Sequence, residues 1–149
     1  MLSPGLIHFA GFVQRDELAS YYGLAECLAF PTYSDTWGMV VNEAMACGLP
    51  IVSSCVAGCT ADLVSSNGIV VAPRNSVQLS RAIQQIAADP VLRENMSFRS
   101  QEIIQRYSPQ MCAAGIAKAA LEIKSFNVPS RLENSSFASA HKSGIEVGA

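Results

Sequence analysis

Two carboxylates, Asp35 and Glu43, stand eight residues apart on either side of Gly38, in sequence that is otherwise largely apolar. Carboxylates repel phosphate, but they accept hydrogen bonds from hydroxyls, and such charge-assisted bonds contribute roughly 1.5–3 kcal/mol each. Gly38 lets backbone come close to a ligand. With a helix beginning there, the N–H groups of Met39, Val40 and Val41 lack intrahelical acceptors and sit at the positive end of the helix dipole, which suits an anion such as phosphate. Glu43 lies four residues beyond Met39 and shares its helical face. An anion site bordered by hydroxyl-binding acids fits a phosphate flanked by hydroxylated rings, which describes a nucleotide sugar. A plainer alternative is open on the same residues: Glu43 as the solvent-facing residue of an apolar helix, and Asp35 as a helix cap.

The elements around this segment must position it. Residues 27–31 read as a short buried strand, 35–37 as a loop, and 38–47 as a helix that is apolar nearly all round and therefore buried. Gly48 ends that helix, Pro50 follows, and 51–54 form the next strand. In an open parallel sheet, ligands bind outside the carboxyl ends of the strands, so the 32–38 loop lies on the functional side. Upstream, 6–13 reads as a strand broken by Gly11. Residues 15–25 read as a helix with Leu18, Tyr21, Tyr22 and Ala25 on its core face. Downstream come a turn and short helix at 57–64 and a strand at 68–72. Three helices follow at 76–88 with Ser76 as N-cap, at 90–107 with Pro90 in the first turn, and at 109–124. Alternation of apolar strands with helices predicts an α/β fold with a parallel sheet of about four strands, covered on both faces.

The chain has 149 residues, enough for one domain or part of a larger one. Half are hydrophobic and 15% charged, so residues 1–124 can build a core. From residue 125 on, the chain is rich in Ser and Asn and too poor in apolar residues to offset ordering entropy, which predicts a disordered tail over 125–149. Net charge is −2, yet residues 1–73 hold one basic residue, Arg15, against six acids. No basic patch is interleaved with aromatics, which argues against a nucleic-acid partner. No apolar run is long enough for a transmembrane segment and no signal peptide is visible, so a cytoplasmic location is expected, with the full-length enzyme able to sit at a membrane surface. The five cysteines form no disulfide framework and read as buried reduced thiols. Cys55 and Cys59 have the spacing of half a metal site, but no second pair completes it, so no metal is expected. No Gly-x-Gly-x-x-Gly follows a strand, which argues against a dinucleotide oxidoreductase.

Phe-Pro-Thr at 30–32, Asp-Thr-Trp-Gly-Met-Val-Val-Asn-Glu-Ala-Met-Ala-Cys-Gly-Leu-Pro-Ile-Val at 35–52 and Asn-Gly-Ile-Val-Val-Ala-Pro at 67–73 resemble glycosyltransferase family 4, the group 1 glycosyltransferases. The resemblance covers about residues 5–108 and rests on an acid-x7-acid segment followed by Ala-Met-Ala-x-Gly-x-Pro. It implies retaining enzymes of GT-B architecture, with two Rossmann-like domains, of which this chain resembles the C-terminal, nucleotide-sugar-binding half. It also implies roles. Glu43 would bind the ribose of a UDP-sugar or GDP-sugar donor. Asp35, the candidate catalytic residue, would hold hydroxyls of the transferred sugar. The N–H groups at Gly38, Met39 and Val40 would contact sugar and diphosphate, with Asp62 in a supporting role. No metal or other cofactor is implied for the chemistry.

Two departures stand out. The family usually carries Glu at the first acid, and Asp35 is shorter by one C–C bond, roughly 1.5 Å. The family also implies an Arg and a Lys at the start of the donor domain to neutralise the diphosphate. Arg15 does not match that pair. The first strands of the donor domain and the whole acceptor domain are missing from the match, so the chain is expected to be a piece of a glycosyltransferase, inactive alone towards an unknown glycan, lipid or small-molecule acceptor. The first strand would leave an unpaired apolar edge. Competing expectations are a degenerate module that binds a nucleotide or nothing, and a nucleotide-sugar epimerase. The second suffers from the absence of a histidine near the crevice.

Overall fold

The computed structural model describes residues 7–125. The expected tail lies outside them, apart from Ser125. The described elements run α1 (Arg15–Leu24), β1 (Leu28–Phe30), α2 (Met39–Ala46), β2 (Ile51–Ser54), α3 (Thr60–Leu63), β3 (Gly68–Val71), α4 (Ser76–Ala88), α5 (Pro90–Ile104), a 3-10 turn (Gln105–Tyr107) and α6 (Pro109–Ser125). The described residues fall into two units that divide after Met111, the second being the remainder of α6.

The sheet is parallel, in the order β1-β2-β3, with Val52 opposite Ala29 on one side and Ile69 on the other. Every residue of β2 is buried, whereas the edge strands are partly exposed. Successive strand residues point to opposite faces, and this divides the interior in two. Ile51 packs with Val41, Ala44, Met45 and Leu63 on one side, and Val52 packs with Val71, Ala82, Ile86 and Met96 on the other. The sheet is thus covered on both faces, as expected of a parallel sheet. The two serines of β2 are buried without loss of hydrogen bonds. Ser53 Oγ pairs with Thr60 Oγ1 at 2.8 Å, and Thr60 Oγ1 also donates to the Ser54 carbonyl at 2.8 Å.

Several expectations need correction. Of the strand expected at 6–13, the described residues 7–13 carry none, and Phe9 and Phe12 are 90% and 89% exposed. A strand needs a ladder partner, and among the described residues β1 pairs only with β2. The sheet therefore has three described strands. The core face expected on the 15–25 helix is also missing, since α1 buries no residue and Tyr21 is 46% exposed. Among the described residues no strand pairs with the outer edge of β1, so α1 has no further sheet to lie on, and only Tyr22 reaches the interior. In α2 only Val41, Ala44 and Met45 are buried, while Met39 and Val40 at its start are exposed. The N-cap of α4 is Asn75, whose side chain accepts from the Gln78 N–H at 3.0 Å, in place of Ser76. Of the cysteines, only Cys59 is buried and Cys27 half-buried; Cys47, Cys55 and Cys112 are exposed.

Candidate functional site

The loop after β1 is built by backbone pairing with the loop after β2. Asp35 forms an isolated parallel bridge with Ala57. The Gly58 N–H donates to the Asp35 carbonyl at 3.0 Å, and the Cys59 N–H to the Trp37 carbonyl at 3.0 Å. Gly58 is required for this approach, because a Cβ there would stand 2.0 Å from the Thr36 carbonyl oxygen. The Asp35 side chain is half-buried, and its Oδ1 accepts from the Trp37 N–H at 2.9 Å. Asp35 thus caps its own turn, not the helix α2. The Trp37 indole continues the network, donating from Nε1 to Asn42 Oδ1 at 2.8 Å and resting 6.3 Å from the Tyr107 ring.

Gly38 then starts α2 in the left-handed region, at φ +91°. A side chain there would be strained, and its Cβ would meet the Phe30 ring at 2.7 Å and Cys59 Sγ at 3.4 Å. The helix begins with no side-chain cap. The Val41 N–H, expected to be open, donates to the Gly38 carbonyl at 2.9 Å. That tight first turn leaves Met39 and Val40 as the first helical residues, whose N–H groups have no acceptor within the helix. Cys59 lies beneath this turn. Burial pushes its thiol pKa up, and the nearby Asp35 and Asp62 carboxylates push it further, so it stays a protonated, unreactive filler.

Glu43 is exposed on α2, and its Oε2 accepts from the Tyr22 hydroxyl at 2.9 Å. Burial raises the Tyr22 pKa to about 12, with the hydrogen bond to Glu43 and its charge adding to the shift, so the phenol remains a donor at neutral pH. The pair lines a cavity of about 240 Å³ between α1 and α2, together with Arg15, Leu18, Ala19 and Cys47. Asp35 is not among its lining residues. Asp62 is exposed on α3, and its carbonyl accepts from the Tyr107 hydroxyl at 3.3 Å.

Two residues lining the Glu43 cavity were not legible as such in the sequence. Tyr22 reads there as one more apolar residue of a helical stripe; its hydroxyl has a purpose only once α1 and α2 are adjacent. Arg15 reads as an isolated cation, yet it opens on the same cavity as Glu43. A second cavity, of about 230 Å³, lies at the C-terminal ends of β1 and β3 between Tyr33 and Arg74. The Arg74 guanidinium lies 5.2 Å from the centre of the Tyr33 ring. Among the described residues, no three His, Cys, Asp or Glu side chains converge on a point that could hold a metal.

Over 113 residues the chain is 30% identical to a D-inositol 3-phosphate glycosyltransferase of Streptomyces bingchenggensis, a match covering 75% of this chain and 25% of the relative. Over 108 residues it is 29% identical to the O-antigen chain mannosyltransferase B of Escherichia coli, covering 72% and 28%. The chain thus spans about a quarter of the length of these relatives. Among solved structures it superposes on the sucrose-phosphate synthase of Thermosynechococcus elongatus with a TM-score of 0.72 at 29% identity, covering 79% of this chain and 30% of that one. It shares its fold with WaaG, a glycosyltransferase involved in lipopolysaccharide biosynthesis, at a TM-score of 0.57 and 24% identity, covering 63% and 26%. These neighbours are GT-B glycosyltransferases. The family model for glycosyl transferases group 1 matches residues 1–89, and with Asp35, Gly38 and Glu43 all inside that span, the chain belongs to the group 1 glycosyltransferases.

Proposed function

We propose that this chain is the nucleotide-sugar half of a retaining glycosyltransferase and that its donor lies against the segment from Asp35 to Glu43. The observation that carries the reading is the uncapped start of α2 at Gly38, held in place by pairing of the 35–37 loop with 57–59 and flanked by the two acids. The Met39 and Val40 N–H groups suit the donor diphosphate, whose charge grows as the bond to the sugar breaks. Asp35 Oδ1 is engaged by Trp37, which leaves Oδ2 for a sugar hydroxyl. Glu43 accepts from the ribose. Arg15, the only basic residue in the first 73, lines the Glu43 cavity and supplies positive charge on that side. The donor is a UDP-sugar or GDP-sugar, and no metal is assigned a part.

Calorimetry of the 149-residue chain with UDP and GDP tests this. The unaltered protein is expected to bind one of them, and Glu43→Ala to lose about 1.5–3 kcal/mol of binding, roughly ten- to a hundredfold. Equal binding by both proteins would remove Glu43 from the site. Binding by neither would support a degenerate module.

A further inference from the structure

We propose that Tyr22 is a positioning residue for the donor site: its hydroxyl fixes one oxygen of Glu43 so that the carboxylate is presented to a ribose diol. This rests on the assignment of Glu43 to the ribose. Glu43 is exposed on α2, and a free glutamate there would sample several rotamers and lose that freedom on binding. The Tyr22 hydroxyl donates to Oε2 at 2.9 Å. Among the described residues the Glu43 carboxylate has no other hydrogen-bond partner. A carboxylate offers about four lone-pair sites. One is filled by Tyr22, which leaves room for both hydroxyls of a vicinal diol.

Tyr22 itself is well anchored. Its ring packs against the cluster that holds Val41, Ala44 and Met45 of α2. Its carbonyl accepts from the Ala25 N–H at 3.2 Å, where α1 ends. Tyrosine has only two side-chain torsions, so a ring held by packing aims its hydroxyl closely. Since the phenol stays protonated at neutral pH, the donor is present whenever the enzyme works. The placement also explains why α1, which buries no residue, is useful to the site: it carries the tyrosine.

The experiment compares UDP with 2′-deoxy-UDP, and GDP with 2′-deoxy-GDP, on the unaltered chain, Tyr22→Phe, Glu43→Gln and the double variant. The phenylalanine keeps the ring and removes only the hydroxyl. Tyr22→Phe is expected to weaken the ribonucleotide about three- to tenfold and to shrink the penalty for the missing 2′-hydroxyl, while adding nothing in the Glu43→Gln background. A role confined to packing would lower the melting temperature and leave the 2′-deoxy penalty unchanged, which overturns the inference and spares Glu43 as ribose ligand. An unaltered chain with no 2′-deoxy penalty, or no binding, overturns the ribose assignment and this inference with it. A ligand-free arm follows tyrosinate absorbance in alkali. Glu43→Gln is expected to lower the midpoint of the most resistant tyrosine, and coincident curves would show that the two side chains are not coupled.

Discussion

Asp35 commits one carboxylate oxygen to its own turn, through the Trp37 N–H at 2.9 Å, and in the proposed function the second holds a sugar hydroxyl. An asparagine can reproduce the first contact with its carbonyl oxygen but carries no charge for the second. Asp35→Asn is therefore expected to leave stability within about 0.5 kcal/mol of the parent, as read by urea unfolding. It should reduce the extra affinity of the nucleotide sugar over the bare nucleoside diphosphate, as read by calorimetry. Unchanged discrimination would show that Asp35 only shapes the loop. Glu43 differs from Asp35 in having a side-chain donor, Tyr22, from another element. The two acids are alike in sequence, yet one is organised by its own backbone and the other by a neighbouring helix.

At the level of elements, the site is two loops zipped together at the ends of two parallel strands, with a helix issuing from one of them. The zip depends on Gly58. A Cβ placed 2.0 Å from the Thr36 carbonyl must push the two loops apart, because the obstacle is backbone and cannot rotate away. Gly58→Ala is expected to cost about 1–3 kcal/mol of stability and to weaken nucleotide binding, with urea unfolding and calorimetry moving together. Loss of stability with unchanged binding would mean that the pairing is not what orders the site. Much of this was legible in advance. The boundaries of β2 and α4, the turn at Gly38 and the proline that opens α5 follow from local residue chemistry and emerge as expected. What was not legible depends on partners. The 6–13 stretch has the composition of a strand, but strand formation is decided by a neighbour that the described residues do not supply. The Val41 N–H looked open until the tight first turn of α2 gave it an acceptor. The cysteines were read from apolar neighbours in sequence, which says little about burial at loop and helix ends, where Cys47 and Cys55 are exposed.

For the molecule as a whole, charge is the governing constraint. The diphosphate of a nucleotide sugar brings about two negative charges to a half of the chain that holds six acids and a single arginine. The chain spans about a quarter of its relatives' length. The 149-residue polypeptide is therefore expected to bind a nucleoside diphosphate weakly and to transfer no sugar, and sugar release from a panel of UDP- and GDP-sugars would refute the second part. The residues that order the Gly38 turn, Phe30 beneath it and Gly58 beside it, all lie within this chain, so a docking site can persist where turnover does not. The most direct test of that claim is to titrate the ¹⁵N-labelled protein with UDP and GDP and follow the backbone amides by NMR. The account predicts the largest shifts at Gly38, Met39, Val40 and Glu43, with Glu43→Ala raising the titration midpoint of the first three about ten- to a hundredfold. Shifts confined to the cavity between Tyr33 and Arg74, or no shifts at all, would contradict it.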